Sequence, residues 1–217
     1  MSQTIKKLNN LKNPESFIQI NTIKGYKYVD RAGEIVNAYH KKNSVPRFVM
    51  TLNGLAIEQP MDKVDELKIT PRIVWAKFSE IDSLDMVANL FSKEVEKILG
   101  IIEVEKVNRV GWRNFFVYEF PSKEKQEEYL KKFSIIENTK TLFTRLEIET
   151  KKDFDANLVL QPVIKDDEQK THGILCDVDV FQNKEVEPKE ISGILKKFRE
   201  YLADKDGFLN LINKTFE

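Results

Sequence analysis

Cysteine is almost missing from this chain: Cys176 stands alone among 217 residues. One thiol closes no internal disulfide and builds no thiolate metal site, and its isolation fits a reducing compartment. Histidine is scarce as well. His40 and His172 lie far apart in sequence, and no serine or cysteine sits in a nucleophile elbow. The eight glycines are scattered, so neither a phosphate-cradling loop nor a dinucleotide fingerprint can be assembled from them. Net charge is absent, with 35 Lys+Arg against 35 Asp+Glu, and no overall field draws the chain toward nucleic acid or an anionic membrane. No apolar run approaches the ~18–20 residues of a membrane span. The first residues, Met1-Ser-Gln-Thr-Ile-Lys-Lys7, lack the apolar stretch of a signal peptide. These absences predict a cytoplasmic protein with no catalytic constellation, no metal and no other cofactor.

Arginine is the next scarcity. Only Arg31, Arg47, Arg72, Arg109, Arg113, Arg145 and Arg199 occur, and every other base is lysine. Five of them, from Arg47 to Arg145, fall in segments read as strands. Arginine's planar fork pairs bidentately and tolerates partial burial, so arginines gathered on a sheet point to paired positions. Cross-strand ion pairing and recognition of an anion or partner are the two readings.

What is present is pattern. Hydrophobic residues make up 41% and charged residues 32%, and 217 residues can bury a sizeable core. The run Ile69–Phe78, a helix with Leu84, Val87, Ala88, Phe91, Val95, Ile98 and Leu99 on one stripe, and the run Val107–Phe120 form a strand–helix–strand unit. Asp82 or Ser83 caps that helix and Gly100 ends it. Trp75 and Trp112 both lie in this unit and are expected to fix a core. Upstream, residues 1–13 read as an arm that docks or frays, with Ile5, Leu8 and Leu11 at a three-residue spacing. Phe17–Ile23 is a strand, and Tyr26–Tyr39 a helix capped by Asp30, with Val29, Ala32, Ile35, Val36 and Tyr39 on one face. Arg47–Ile57 and Leu67–Phe78 are strands, with Pro60 and Asp62 between them. Downstream, Pro121-Ser122 opens a charged helix toward Phe133. Leu142–Thr150, Phe154–Ile164 and Ile174–Phe181 are strands in series, which argues for an antiparallel meander. Pro188–Phe216 closes the chain as an amphipathic helix with Phe198 central in its stripe and Gly207 as an interruption. The expected fold is therefore a single α+β domain over 1–217, a mixed and largely antiparallel sheet with helices mainly on one face.

Strand alternation gives each strand two lists of side chains. Val110, Trp112, Phe116, Tyr118 and Phe120, with Ile174, Cys176, Val178 and Val180, belong against the helices. That makes Cys176 an inert core thiol. The other list mixes charges with large apolar groups: Arg109, Gly111, Arg113, Phe115, Val117 and Glu119; Phe143, Arg145, Glu147 and Glu149; Leu175, Asp177, Asp179 and Phe181. This face is the candidate site, and Arg109, Arg113, Phe115, Arg145, Glu147, Asp177 and Asp179 are its candidate binding residues. Arg109 or Arg113 is expected to pair with Asp177, Asp179 or Glu147. Phe115, Phe143 and Phe181 are expected to be covered, by the arm, by the helix around Val36 and Tyr39, or by a second protein.

Asp177-Val-Asp179 places two carboxylates about 7 Å apart on one side of a strand. With Glu147 and Glu149 they offer oxygen ligands of the kind Mg²⁺ takes, although nearby arginines would neutralise them. The mixture of arginines and aromatics on Arg109–Phe120 also resembles a single-strand platform, but shared acidic residues and zero net charge weigh against nucleic acid.

Arg109-Val-Gly-Trp-Arg-Asn114 ahead of a strand, the late Leu175-Cys-Asp-Val-Asp-Val-Phe181 strand and the closing amphipathic helix resemble a sporadically distributed family of uncharacterised bacterial proteins. Members show an R-x-G-x-R-like strand, a late D-x-D strand and a C-terminal helix. The likeness covers residues 69–217, and Asn114 stands where the family carries an aromatic. It implies no known activity, and the family's patchy distribution implies mobile elements or phage defence. Two functions follow. The first is a non-enzymatic binding or assembly subunit of a prokaryotic cytoplasmic complex, engaging another protein or a second copy of itself, without membrane or nucleic acid. The second is a small-ligand or phosphoester-processing domain, with Arg109, Arg113 and Arg145 for an anion and Asp177 and Asp179 for a divalent metal.

Overall fold

A computed structural model of the chain describes residues 11–23, 25–40, 46–61, 63–79, 81, 83–132, 144–148, 150, 153–165, 171–203 and 208. The strands are β1 Leu11–Thr22, β2 Arg47–Thr51, β3 Gly54–Met61, β4 Val64–Ile69, β5 Ile73–Phe78, β6 Val107–Phe120, β7 Thr144–Ile148, β8 Asp155–Lys165 and β9 Thr171–Gln182. They form one sheet in the order β2-β3-β4-β5-β1-β6-β9-β8-β7. Every pairing between these strands is antiparallel. The helices are α1 Ala32–Tyr39, α2 Leu84–Ile101, α3 Lys123–Lys131 and α4 Ile191–Ala203. The fold is α+β, and the series β7-β8-β9 is the meander that its short connections require.

The first strand lies in the middle. β1 pairs with β5 on one side and β6 on the other, so β5 and β6 run parallel with one strand between them. A parallel return needs a crossover, and α2 supplies it. Ser83 caps α2, its side chain accepting from Met86 N at 3.2 Å. The predicted stripe Leu84, Val87, Ala88, Phe91, Val95, Ile98 and Leu99 is buried. α2 does not stop at Gly100: it continues to Ile101, and the left-handed position falls two residues later, at Glu103 with φ 53°.

The buried face of the sheet follows the alternation. Ile18 and Ile20, Val74 and Ala76, Val110, Trp112 and Phe116, and Ile174, Cys176, Val178 and Val180 are all buried. α4 packs beside α2 over this face through Ile191, Ile194, Leu195, Phe198 and Leu202. Phe198 is fully buried, edge-on to Phe154 with ring centroids 5.2 Å apart. Cys176 is a core thiol, its pKa pushed up to about 12 by burial. Trp112 finds its indole partner at the centre of the sheet. Its Nε1–H donates to Ser16 Oγ at 3.2 Å, and the Ser16 hydroxyl donates to Asn114 Oδ1.

Several expected boundaries move. Arg47–Ile57 is not one strand but part of the β2–β3 hairpin, turned at Leu52-Asn53. Gly54 has φ 154°, and a Cβ there would lie 2.6 Å from Ile69 O. Leu67–Phe78 is likewise two strands, broken where Thr70 Oγ1 accepts from Ile73 N at 2.9 Å. Arg72 therefore sits in a turn and not on the sheet. Leu11–Asn13 belong to β1 and not to an arm; Leu11 pairs with Tyr118 and Lys12 with Val117. The ladder skips a step between Lys12 and Glu15, where Pro14 has no N–H to give. A 3-10 turn over Gly25–Tyr28 replaces the start of the expected first helix, and Asp30 does not cap it; α1 begins after Arg31 without a side-chain cap. Pro188 opens a 3-10 turn over Pro188–Glu190, with α4 starting at Ile191. Ile5, Leu8, Asp62, Asp82, Phe133, Phe143, Glu149, Gly207 and Phe216 lie outside the described residues.

Candidate functional site

The helices occupy one side of the sheet, and the other side is the candidate site. Its central rows come from register. Across β5, β1, β6, β9 and β8, Lys77, Phe17, Arg113, Asp179 and Asn157 stand opposite one another in sequence. In the next row Glu15, Phe115, Asp177 and Val159 align, and in the row on the other side Trp75, Gln19, Gly111, Phe181 and Asp155.

The expected arginine–carboxylate pairing is present in two forms. Arg113 binds Asp177 bidentately, with Nε–Oδ1 2.7 Å and Nη2–Oδ2 2.5 Å. Arg109 donates to Asp179 Oδ2 at 3.1 Å and to Asn183 Oδ1 at 3.0 Å. Each guanidinium also lies over a ring: Arg109 over Phe181 at 4.2 Å and Arg113 over Phe115 at 4.9 Å. The Arg109 guanidinium passes beside Gly111, where a Cβ would meet its Nε and Nη2 at 3.4 Å, an ordinary van der Waals contact. The Arg109-x-Gly111-x-Arg113 spacing puts all three residues on one face, with the first guanidinium over Phe181 and bonded to Asp179.

The two pairs differ in solvation. The Arg113 side chain is 53% exposed and its partner Asp177 only 12%, whereas Arg109 and Asp179 are 24% and 25%. Burial raises the Asp179 pKa against the opposing pull of Arg109 and Arg113. The hydrogen bond to Asp177 raises that of Arg113.

Phe17, Trp75, Lys77 and Glu15 complete the face; the sequence patterns assigned none of them to it and placed Trp75 in the core. Phe17 stands edge-on to Phe115 at 5.5 Å and 6.2 Å from Trp75. Lys77 Nζ sits over Phe17 at 5.6 Å and 3.3 Å from Glu15 Oε1. Trp75 therefore does not fix the core, because it alternates onto the open side opposite Gln19. Arg145 and Glu147 share this side but do not join the cluster. They pair with each other at 3.5 Å on β7, two strand spacings or roughly 10 Å from β9.

Covering of the phenylalanines is answered in part by the face itself, through Arg109 and Arg113. The helix with Val36 and Tyr39 is not a cover; α1 packs on α2, where Lys97 donates to Ala38 O at 2.8 Å and lies 4.5 Å from the Tyr39 ring centroid. A small apolar cleft lined by Val64, Leu67, Phe78, Leu90 and Phe91 also lies on this helix side. The carboxylates of Asp177 and Asp179 are turned to guanidinium groups, and among the described residues no group of three or more His, Cys, Asp and Glu could hold a metal ion. No helix there is long and apolar enough to cross a membrane. No protein-family model matches this chain, and no curated protein matches it.

Proposed function

We propose that this protein is a non-enzymatic binding or assembly subunit of a prokaryotic cytoplasmic complex, which holds a partner protein against the open face of its sheet. The observation that carries the reading is the group of aromatic rings on that face. Trp75, Phe17, Phe115 and Phe181 lie between charges that already satisfy one another. Rings set within a paired, polar surround are the composition of an interface centre and its rim. Arginines and carboxylates engaged with each other favour this reading over anion capture or metal chemistry. The resemblance carried by Arg109-x-Gly111-x-Arg113 and Asp177-x-Asp179 supports a bacterial setting, and a link to phage defence or mobile elements.

A photo-crosslinking residue placed at Phe115 or Gln19, and at Glu96 on the exposed helix side as control, tests the proposal in native extract. A discrete adduct from Phe115 and Gln19 but not from Glu96 is the expected result. Adducts from Glu96 alone, or none from any position, would overturn it.

A further inference from the structure

The two edges of the sheet are unlike, and the difference points to a second surface. β7 carries exposed Arg145 and Glu147, the charged kind of edge that resists strand addition. β2 reads Arg-Phe-Val-Met-Thr. It contains no lysine and no proline, and its five-residue ladder with β3 has no bulge. Its one charge, Arg47, is paired with Glu58 at 3.4 Å. Among the described residues four large apolar side chains stand out as exposed, and two of them, Met50 at 50% and Leu52 at 99%, belong to this hairpin.

The turn fixes which backbone groups are free. Thr51 and Gly54 face each other across two residues, and a pair that closes so short a loop exchanges both hydrogen bonds. Alternation then gives the Val49–Ala56 and Arg47–Glu58 pairs the inward bonds as well. The N–H and C=O of Phe48 and Met50 consequently point away from β3.

We propose that β2 is a self-pairing edge, joining two copies of this chain antiparallel about a two-fold at Val49 into one continuous sheet. This goes beyond the open-face reading and uses a different surface. The sequence is self-complementary in that register. Val49 meets Val49 of the second copy, Phe48 meets Met50, and Arg47 meets Thr51, so no like charges oppose. The Phe48–Met50 pairs are the ones with outward groups, and each exchanges two backbone hydrogen bonds. Met50 and Phe48 lie on the helix side, opposite buried Leu55 and Ile57. Pairing therefore continues the apolar layer from one copy into the next, and a chain of zero net charge offers no overall repulsion to it.

Analytical ultracentrifugation of the full chain across the micromolar range, with amide exchange, tests this. The wild type should pass from monomer to dimer with concentration. The Phe48 and Met50 amides should gain protection in the dimer, while those of Val49 and Thr51 should not change. Val49→Lys puts two ammonium groups face to face at the axis and should leave a folded monomer, checked by an unchanged circular dichroism spectrum. Thr51→Glu adds two ion pairs with Arg47 of the other copy and should tighten the dimer severalfold. A wild type that stays monomeric throughout would overturn the proposal, and so would a dimer indifferent to both substitutions. A monomer that instead takes up an extended strand of a different protein at Phe48 and Met50 would overturn the choice of a second copy.

Discussion

Ser16→Ala deletes a single oxygen at the centre of the sheet, and that oxygen serves two partners. It accepts from Trp112 Nε1 and donates to Asn114 Oδ1, and all three residues are 0% exposed. The substitution strands the indole N–H without an acceptor. It also strands an amide whose Nδ2 already lacks a partner. Leaving a buried polar group unsatisfied costs about 1–3 kcal/mol, so two such groups, relaxing in part, should cost about 2–4 kcal/mol. Against a typical total of about 5–15 kcal/mol that is a large loss. Urea unfolding followed by circular dichroism measures it, and a second substitution tests its origin. Asn114→Leu in the Ser16→Ala background removes a polar group that has lost its purpose, so the double variant should be more stable than Ser16→Ala alone. A cost below about 0.5 kcal/mol for Ser16→Ala, or strictly additive losses, would refute the relay.

Phe198→Ala empties a fully buried site against Phe154 and should cost about 3–5 kcal/mol in the same assay; a loss under about 1 kcal/mol would show that α4 does not anchor there. Asp179 has a folded pKa raised by burial, so the folded state binds its proton more tightly than the unfolded state. Relative to Asp179→Asn, the wild type should gain stability as pH falls from neutral through the carboxylate range; a relative loss would mean that Arg109 outweighs burial. Gly111→Val should push the Arg109 guanidinium off Phe181, whereas Gly111→Ala meets it only at ordinary contact distance. The cost of Arg109→Ala should therefore shrink in the Gly111→Val background and stay unchanged in Gly111→Ala.

The two-residue period of β6 and β9 was legible because each strand is long and one face is buried throughout. Val110, Trp112 and Phe116 sorted from Arg109, Arg113 and Phe115 without any knowledge of neighbours. The same logic misplaced Trp75, because an aromatic in an apolar run looks buried from both sides until its partners are known. Those partners are Lys68 on the adjacent β4 and Gln19 on β1, and the second pairing, across more than fifty residues, leaves no local trace. The hairpins within Arg47–Ile57 and Leu67–Phe78 did leave traces, in Asn53-Gly54 and in Thr70-Pro71, but the apolar runs around them read through. The share of the open face that comes from β1 and β5 was hidden for the same reason: nothing near Phe17 announces that β1 lies between β5 and β6.

The open face repeats one unit three times: a ring, a cation above it and an acceptor holding the cation. Phe181 has Arg109 and Asp179, Phe115 has Arg113 and Asp177, and Phe17 has Lys77 and Glu15. A cation over a ring at an exposed site contributes about 0.5–1 kcal/mol, enough to favour the covered state and small enough for a partner to displace. Truncation tests both roles of the cation. Arg113→Ala should bare the Phe115 ring, read as increased binding of an apolar dye, and it also strips the bidentate partner from Asp177, whose side chain is only 12% exposed. Arg109→Ala likewise leaves the three-quarters-buried Asp179 carboxylate without its guanidinium, and a buried charge stripped of its partner is strongly destabilising. Both variants should therefore have a lower unfolding midpoint than the wild type. Dye binding that rises only with Arg109→Ala would mean that Arg113 does not cover Phe115, and an unchanged midpoint for Arg113→Ala would mean that Asp177 does not depend on its guanidinium.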